Sequence, residues 1–232
     1  MEQILGEAIG QMLASAVGIA ISPVPLIAMV LMLATPRGRS NGVAFTLSWV
    51  GALAVVVAAV VLIGSGANAS SGSNGAPATW TSWVKLVFGV LFVLMAVKQW
   101  TGRPREGQED GATPRWMRAI DTFTPVKAAG LAAALAVANP KNLVLAIGGA
   151  LSIAGSDASA GGKTTAAILM VLIGSLAVLA PFTVFLAGGA ASARVLERWK
   201  SAMARHNAAI MITVLTVLGS KYIGDAISTL TA

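Results

Sequence analysis

The chain has 232 residues, of which 56% are hydrophobic and only 11% are charged, whereas a soluble domain carries about a quarter charged residues. So few charged residues cannot supply the polar surface of a water-soluble globular protein. The absence of cysteine excludes disulfides, thiol catalysis and zinc sites. The formal charge of +7 comes largely from cations between hydrophobic segments, which is typical of membrane topology and not of nucleic-acid binding.

Several segments of about twenty or more residues carry almost no charge and are long enough to cross a hydrocarbon core of about 30 Å. We predict an all-α integral membrane protein with six transmembrane helices, near 5–33, 42–64, 82–100, 126–152, 164–188 and 207–230. The start of the chain carries Glu2 and Glu7 instead of the basic residues of a cleaved signal peptide. We therefore interpret the first segment as a retained span.

Positive charge is distributed unequally among the connections between these spans. The first, third and fifth connections hold ten lysines and arginines, whereas the second and fourth hold only Lys163. Because lysine and arginine are retained on the cytoplasmic side, this bias predicts a multi-pass plasma-membrane protein with both termini outside. The third connection, 101–124, is predicted to be a basic cytoplasmic loop that separates a first half, 1–100, from a second half, 125–232.

Two of the predicted spans contain proline within apolar sequence. The first reads "ISPVPLIAM" at 21–29, with Pro23 and Pro25, and the fourth reads "ANPKNLVL" at 138–145, with Pro140. Proline has no N–H, so these residues leave the carbonyls of Ile19, Ile21 and Ala136 without their helical donors. Such carbonyls are costly in lipid unless other groups bind them, so we predict that helices 1 and 4 are broken there.

The side chains beside Pro140 suggest what the second break does. Asn139 and Asn142 can hydrogen-bond freed backbone, and Lys141 is a cation that should face a polar cavity or an anionic partner. Simpler interpretations stand beside this one: proline kinks serve packing in many membrane helices, and Lys141 could extend to the inner interface. Arg37 and Arg39, after the first span, are either orientation signals or guides for an anionic substrate.

The two proline segments also form a weak internal repeat. When "SPVPLIAM" is set against "NPKNLVLA", Pro23 falls on Pro140 and Leu26 falls on Leu143. Spans one to three start outside in the predicted topology, whereas spans four to six start inside. The chain is therefore predicted to be two inverted three-helix repeats, an arrangement common in secondary transporters with a substrate site between the halves.

At these residues the sequence resembles a known family. "SPVPLIAMVLMLATPRGRSNG" together with "NPKN" resembles the LysE superfamily of exporters, which have six spans, prolines in helix one and an Asn-Pro-Lys motif in helix four. Within it, the chain is most similar to the GAP or Sap group of actinobacteria, the glycopeptidolipid- and sulfolipid-addressing proteins. One departure is that "SPVP" stands where amino-acid exporters usually show a Gly-Pro form.

The resemblance implies an exporter or addressing protein that moves an envelope glycolipid or lipid-linked substrate toward the cell surface. The alternatives are a LysE-type exporter of amino acids or other small solutes, and a non-transporting scaffold for a lipid-export complex. No cofactor, metal or enzymatic activity is expected, and the expected partners are membrane lipids, an anionic substrate, lipid-export machinery and, in a homodimer, a second copy. The predicted substrate-binding residues are Pro23, Pro25, Arg37, Arg39, Asn139, Pro140, Lys141 and Asn142.

Overall fold

The computed structural model describes residues 2–70, 79–102 and 120–231, and all regular structure in these ranges is helical. Most of the predicted basic loop 101–124 lies outside them. The helices are α1 (Glu2–Ala20), α2 (Pro23–Leu33), α3 (Gly38–Ser70), α4 (Thr79–Thr101), α5 (Pro125–Ala133), α6 (Pro140–Ala154), α7 (Ala160–Gly174), α8 (Leu176–Ala187), α9 (Gly189–Arg205) and α10 (Asn207–Leu230). A 3₁₀ turn, Ile120–Thr122, precedes α5, and a π-helical turn, Ala134–Ala138, extends it.

By length and composition, α3, α4 and α10 can each cross a membrane without interruption. Three further pairs are long and apolar enough together but are sharply bent: α1/α2 by 48°, α5/α6 by 62° and α7/α8 by 61°. The described chain thus has three candidate spans, or six if each bent pair is one span. The predicted breaks in helices 1 and 4 are confirmed.

The two predicted breaks have a common local cause. Pro23 begins α2 and Pro140 begins α6, where the missing N–H removes no helical hydrogen bond. The preceding residues, Ser22 and Asn139, have extended backbone that ends the helical path. The sequence pairing of Pro23 with Pro140 therefore corresponds to a structural pairing, since each starts the second half of a bent helix.

The break between α7 and α8 was not predicted. It lies at Ser175, whereas the proline of this segment, Pro181, lies inside α8. Gly174 directly before the bend is close to Leu53 of α3 and Ile19 of α1. No proline occurs at the bend itself, so a rule based on a missing N–H cannot detect it.

The helices pack as an interlocked bundle. The pair α1/α2 contacts α6, α7 and α8, and α3 lies against α5, α6 and α7, while α4 and α10 form an extensive pair of their own. The largest fully buried apolar side chains include Phe45 and Trp49 of α3, Phe92 of α4 and Tyr222 of α10. Their burial ties α3 and the α4–α10 pair to the centre of the bundle.

The ends of the first, third and fifth connections lie at one end of the bundle. The Asn41 amide at the start of α3 donates to the carbonyl of Phe123, just before α5. The fifth connection contains α9, an amphipathic helix that buries Ser192 and Leu196 and contacts α2 and α8. With six crossings, the odd-numbered connections must all lie on the same side of the membrane. Which side faces the cytoplasm remains a prediction.

Replacement of Gly89 by alanine is expected to loosen the α4–α10 pair. An added Cβ would lie 2.9 Å from the backbone nitrogen of Ile223 and 3.0 Å from the carbonyl oxygen of Gly219. Such overpacking costs about 1–3 kcal/mol, so the melting temperature in detergent should fall by several degrees. The control is Gly51→Ala, where a Cβ meets nothing within 4 Å. Equal melting temperatures for the two variants would contradict close packing at Gly89.

Candidate functional site

The two proline breaks meet at the side chain of Lys141. This lysine is in the first turn of α6 and only 1% of its surface is exposed. Its ammonium donates to three acceptors at the α1/α2 break: the carbonyl oxygens of Gly18 (2.9 Å) and Ile21 (3.2 Å) and the hydroxyl of Ser22 (2.6 Å). An ammonium has three N–H donors, so all of them are used.

The acceptors explain why a cation is suited to this position. The last carbonyls of a helix have no intrahelical donor and carry the negative end of the helix dipole. Gly18 lies in the last turn of α1, and Ile21 loses a donor because Pro25 has no N–H. Lys141, which belongs to α6, therefore supplies hydrogen-bond donors to the free carbonyls at the end of α1. The freed carbonyls that it binds are those of Gly18 and Ile21, and the predicted carbonyl of Ile19 is not among them.

Asn142 connects the same two breaks through its amide. Its oxygen accepts a hydrogen bond from the Ser22 hydroxyl (3.0 Å), and its nitrogen donates to the carbonyl of Leu135 (3.1 Å). In the π-helical turn the expected donor to Leu135 would come from Pro140, which has no N–H. The prediction that Asn142 bonds freed backbone is confirmed, although the carbonyl concerned is that of Leu135 and not Ala136.

Asn139 acts within its own break. Its side-chain oxygen accepts from the backbone N–H of Lys141 (3.1 Å), which is a standard helix N-cap. Ser22 occupies the equivalent position before Pro23 but does not cap α2, since its hydroxyl is engaged with Lys141 and Asn142. The two breaks are thus equivalent in backbone but different in side-chain chemistry.

The site holds a lysine without an acidic partner among the described residues. The ammonium of Lys141 forms no ion pair with any acidic residue in the described part of the chain. The N-termini of α2 and α6, at Pro23 and Pro140, adjoin it, and helix N-termini carry partial positive charge. The expected polar cavity does not adjoin Lys141, because the ammonium is enclosed by α1 and Ser22. The Lys141 side chain does not extend to the protein surface either.

Close packing of α1 on α6 supports this arrangement. The Ser15 hydroxyl lies 2.8 Å from the hydroxyl of Tyr222 on α10. A Cβ added at Gly148 would overlap that tyrosine hydroxyl, and one at Gly149 would lie 2.8 Å from the Cβ of Ser15. Two adjacent glycines on α6 therefore allow α1 and Tyr222 to approach its backbone. The contact holds the helices that form the Lys141 site at fixed separation.

The remaining predicted residues divide into two groups. Pro23 and Pro25 are buried in the first turn of α2, beside the Lys141 site. Arg37 and Arg39 are exposed at the far end of α2 and the start of α3, where they line a separate surface cavity. The structure therefore brings Pro23, Pro25 and the 139–142 segment together but does not bring the two arginines to them.

Several residues of this region were not predicted. Gly18 and Ser22 contribute acceptors, yet neither residue type is distinctive in an apolar helix, and only the position of Ser22 before Pro23 was a signal. The Lys221–Asp225 ion pair on α10 was also not predicted. The spacing of four residues between opposite charges could have indicated that pair.

Comparison with known proteins adds one finding to this geometry. Neither the curated proteins nor the solved structures gave a match to the chain. The sequence model of one family, described as Sap, sulfolipid-1-addressing protein, matches residues 12–228. That range contains the Lys141 site, both proline breaks and every span from α3 to the last turns of α10. The chain belongs to the Sap, sulfolipid-1-addressing protein, family.

Proposed function

We propose that this protein is a membrane exporter or addressing protein that moves an anionic envelope lipid, or a lipid-linked substrate, toward the cell surface. The observation that carries the proposal is the buried Lys141 ammonium at the meeting point of two broken helices. Family membership favours a lipid as the substrate, because the family is named for the addressing of a sulfolipid. A sulfolipid is anionic, and an anion is a partner that the Lys141 ammonium can bind in place of its present acceptors.

The packing of the spans supports an alternating-access mechanism. If each bent pair is one span, the first packs on the fourth and the third packs on the sixth. The first also packs on the fifth, and the second packs on the fourth, so an exchange of the two halves maps these contacts onto one another. This pattern is expected of two inverted three-helix repeats, with a substrate site near the middle of the membrane. The continuous α3 and the bent α7/α8 make the symmetry approximate.

The hydrogen bonds of Lys141 link substrate binding to movement of α1 and α2. In the described conformation, a substrate anion can reach the ammonium only by displacing the Ser22 hydroxyl or a helix-end carbonyl. Displacement frees the end of α1 from α6 and loosens the α1/α2 break. An anion thereby supplies the differential contact that a conformational change requires. The proposed cycle alternates between carbonyl-bound and anion-bound Lys141.

We propose that nucleotide hydrolysis by this chain does not drive the cycle. The segment "GSDASAGGKTT" ends like a phosphate-binding loop but lacks the GxxxxGK[ST] spacing. An ion gradient, the substrate gradient or a partner pump would therefore drive delivery. The residue-level steps above are the same in each case.

The test is a lipid analysis of a deletion strain and its complemented strain. Surface-extractable and total envelope lipids are measured separately in both strains. We expect one anionic lipid to leave the surface fraction while its total pool persists, and complementation to restore it. Unchanged surface lipids would contradict lipid addressing and make amino-acid efflux the next assay. Loss of the total pool as well would indicate a scaffold for synthesis instead of delivery.

A further inference from the structure

A cavity of about 680 Å³ lies at the end of the bundle that carries the first and third connections. Its lining includes Arg37, Arg39, Ser40, Val43 and Leu47 from the start of α3 and the segment before it, and Pro125 from the start of α5. Two hydrogen bonds join these walls. The Asn41 amide donates to the Phe123 carbonyl, and the Ser48 hydroxyl donates to the Ala129 carbonyl (2.7 Å). We call this cavity the α3–α5 groove.

The polar end of the α3–α5 groove is strongly cationic. Arg37 and Arg39 are both exposed, and neither forms an ion pair within residues 2–70, 79–102 and 120–231. The lining residues that the structure describes include no carboxylate. Two arginines that line the same cavity offer planar N–H donors suited to sulfate or phosphate oxygens.

The other end of the groove is apolar and accessible from the surroundings. Val43 is 42% exposed and Leu47 is 68% exposed. These residues follow Arg39 at steps of four, so all three lie along one side of α3. With a rise of 1.5 Å per residue, the stripe extends about 12 Å from the arginine end along the helix. A cationic end followed by an exposed apolar stripe matches a lipid with an anionic headgroup.

A second cavity, of about 510 Å³, also contains two arginines but differs from the α3–α5 groove in its charge. It lies between α2, α8 and α9 and includes Arg194 and Arg198. Glu197 lies between them, contributes to the same lining and pairs with Lys200. A carboxylate within the lining repels an anionic headgroup, so the second cavity serves as the comparison for the first.

From these observations we infer that the α3–α5 groove binds one anionic membrane lipid, with its sulfate or phosphate group on Arg37 and Arg39 and its acyl chain along Val43 and Leu47. The inference deepens the proposed function and rests on it for the role of the groove, which would be lipid entry. The groove is distinct from the Lys141 site, since the structure does not bring the two arginines to that lysine. Lipid would bind here before it reaches the helix breaks.

The absence of cysteine from the sequence allows a site-specific binding assay. Leu47→Cys is labelled with bimane and reconstituted in phosphatidylcholine nanodiscs with increasing brominated phosphatidylglycerol or brominated phosphatidylcholine. We expect half-maximal quenching at an about 25-fold lower fraction of the anionic lipid, since each of the two surface arginines contributes about a fivefold preference. The control label is Val55→Cys, an exposed position farther along α3 that should show no preference.

The arginines are then tested in the same labelled protein. Arg37→Gln with Arg39→Gln should remove the preference, whereas Arg194→Gln with Arg198→Gln should retain it. Equal quenching by the two lipids in the parent protein, or a preference that survives loss of Arg37 and Arg39, would overturn the inference. Displacement by excess sodium sulfate, with no displacement by unbrominated phosphatidylglycerol, would overturn it in favour of a free anion.

The assay separates this inference from the proposed function. It measures equilibrium binding in nanodiscs and requires no transport. If the preference is missing but deletion still removes a lipid from the cell surface, the groove is rejected and addressing stands. If the preference depends on the arginines but surface lipids are unchanged in the deletion strain, lipid binding stands and addressing is rejected.

Discussion

Lys141→Met is expected to reduce surface delivery of the lipid by at least about tenfold at matched membrane expression, the change that loss of one charged hydrogen-bonded contact of about 1.5–3 kcal/mol produces. Methionine has an unbranched side chain of similar length to that of lysine, but it lacks the ammonium that joins α6 to the end of α1. Without the cation, the proposed cycle has neither a group that binds the anion nor a clamp for the closed state.

The effect of Lys141→Met on stability should be smaller than its effect on delivery. Loss of the ammonium leaves the Gly18 and Ile21 carbonyls without that donor, at a cost of about 1–3 kcal/mol for each unsatisfied group. Replacement of a buried ion by an apolar side chain regains desolvation energy of comparable size. The two terms oppose one another, so the variant should insert and fold, and its defect should appear in delivery.

The matched control is Lys163→Met. Lys163 also donates from its ammonium to a helix-end carbonyl, that of Ala154 (2.8 Å), but it lies in the first turn of α7, away from the proline breaks. We expect this variant to deliver lipid normally. The readout is the ratio of surface-extractable to total lipid in cells with equal amounts of each variant. Wild-type delivery by Lys141→Met would show that the lysine only holds α1 against α6.

Asn142→Leu is expected to give the largest loss of stability among substitutions at the site. Leucine has a similar volume but removes the acceptor of the Ser22 hydroxyl and the donor to the Leu135 carbonyl. At about 1–3 kcal/mol for each unsatisfied group, and about 2–4 °C per kcal/mol for a chain of this size, the melting temperature should fall by roughly 5 °C or more. The measurement is thermal unfolding in detergent.

A double-mutant cycle isolates the link between the two breaks. Ser22→Ala removes the hydroxyl that donates to Asn142 and accepts from the Lys141 ammonium, so this single variant should also lose stability. In the double variant that hydrogen bond is already absent, and the combined loss should be smaller than the sum of the two single losses. Additive losses would mean that the Ser22–Asn142 contact does not couple α1/α2 to α5/α6.

The local properties of the chain could be predicted from the residues themselves. A membrane helix requires an apolar stretch of sufficient length, and α3, α4 and α10 lie close to the predicted 42–64, 82–100 and 207–230. The breaks at Pro23 and Pro140 follow from the missing N–H of proline, which is a property of one residue. The bend at Ser175 has no such residue and was missed.

The partners of the freed carbonyls were decided by the tertiary structure. The sequence by itself determined that Lys141 and Asn142 lie beside a break, and that such side chains can bind open backbone. It did not determine that Lys141 bonds Gly18 and Ile21, which precede it by 123 and 120 residues. Those contacts exist because α1 packs on α6, and that packing depends on the close approach of Ser15 to Gly149. Helices and their breaks arise from short-range hydrogen bonding, whereas the groups that complete a break come from whichever helix packs beside it.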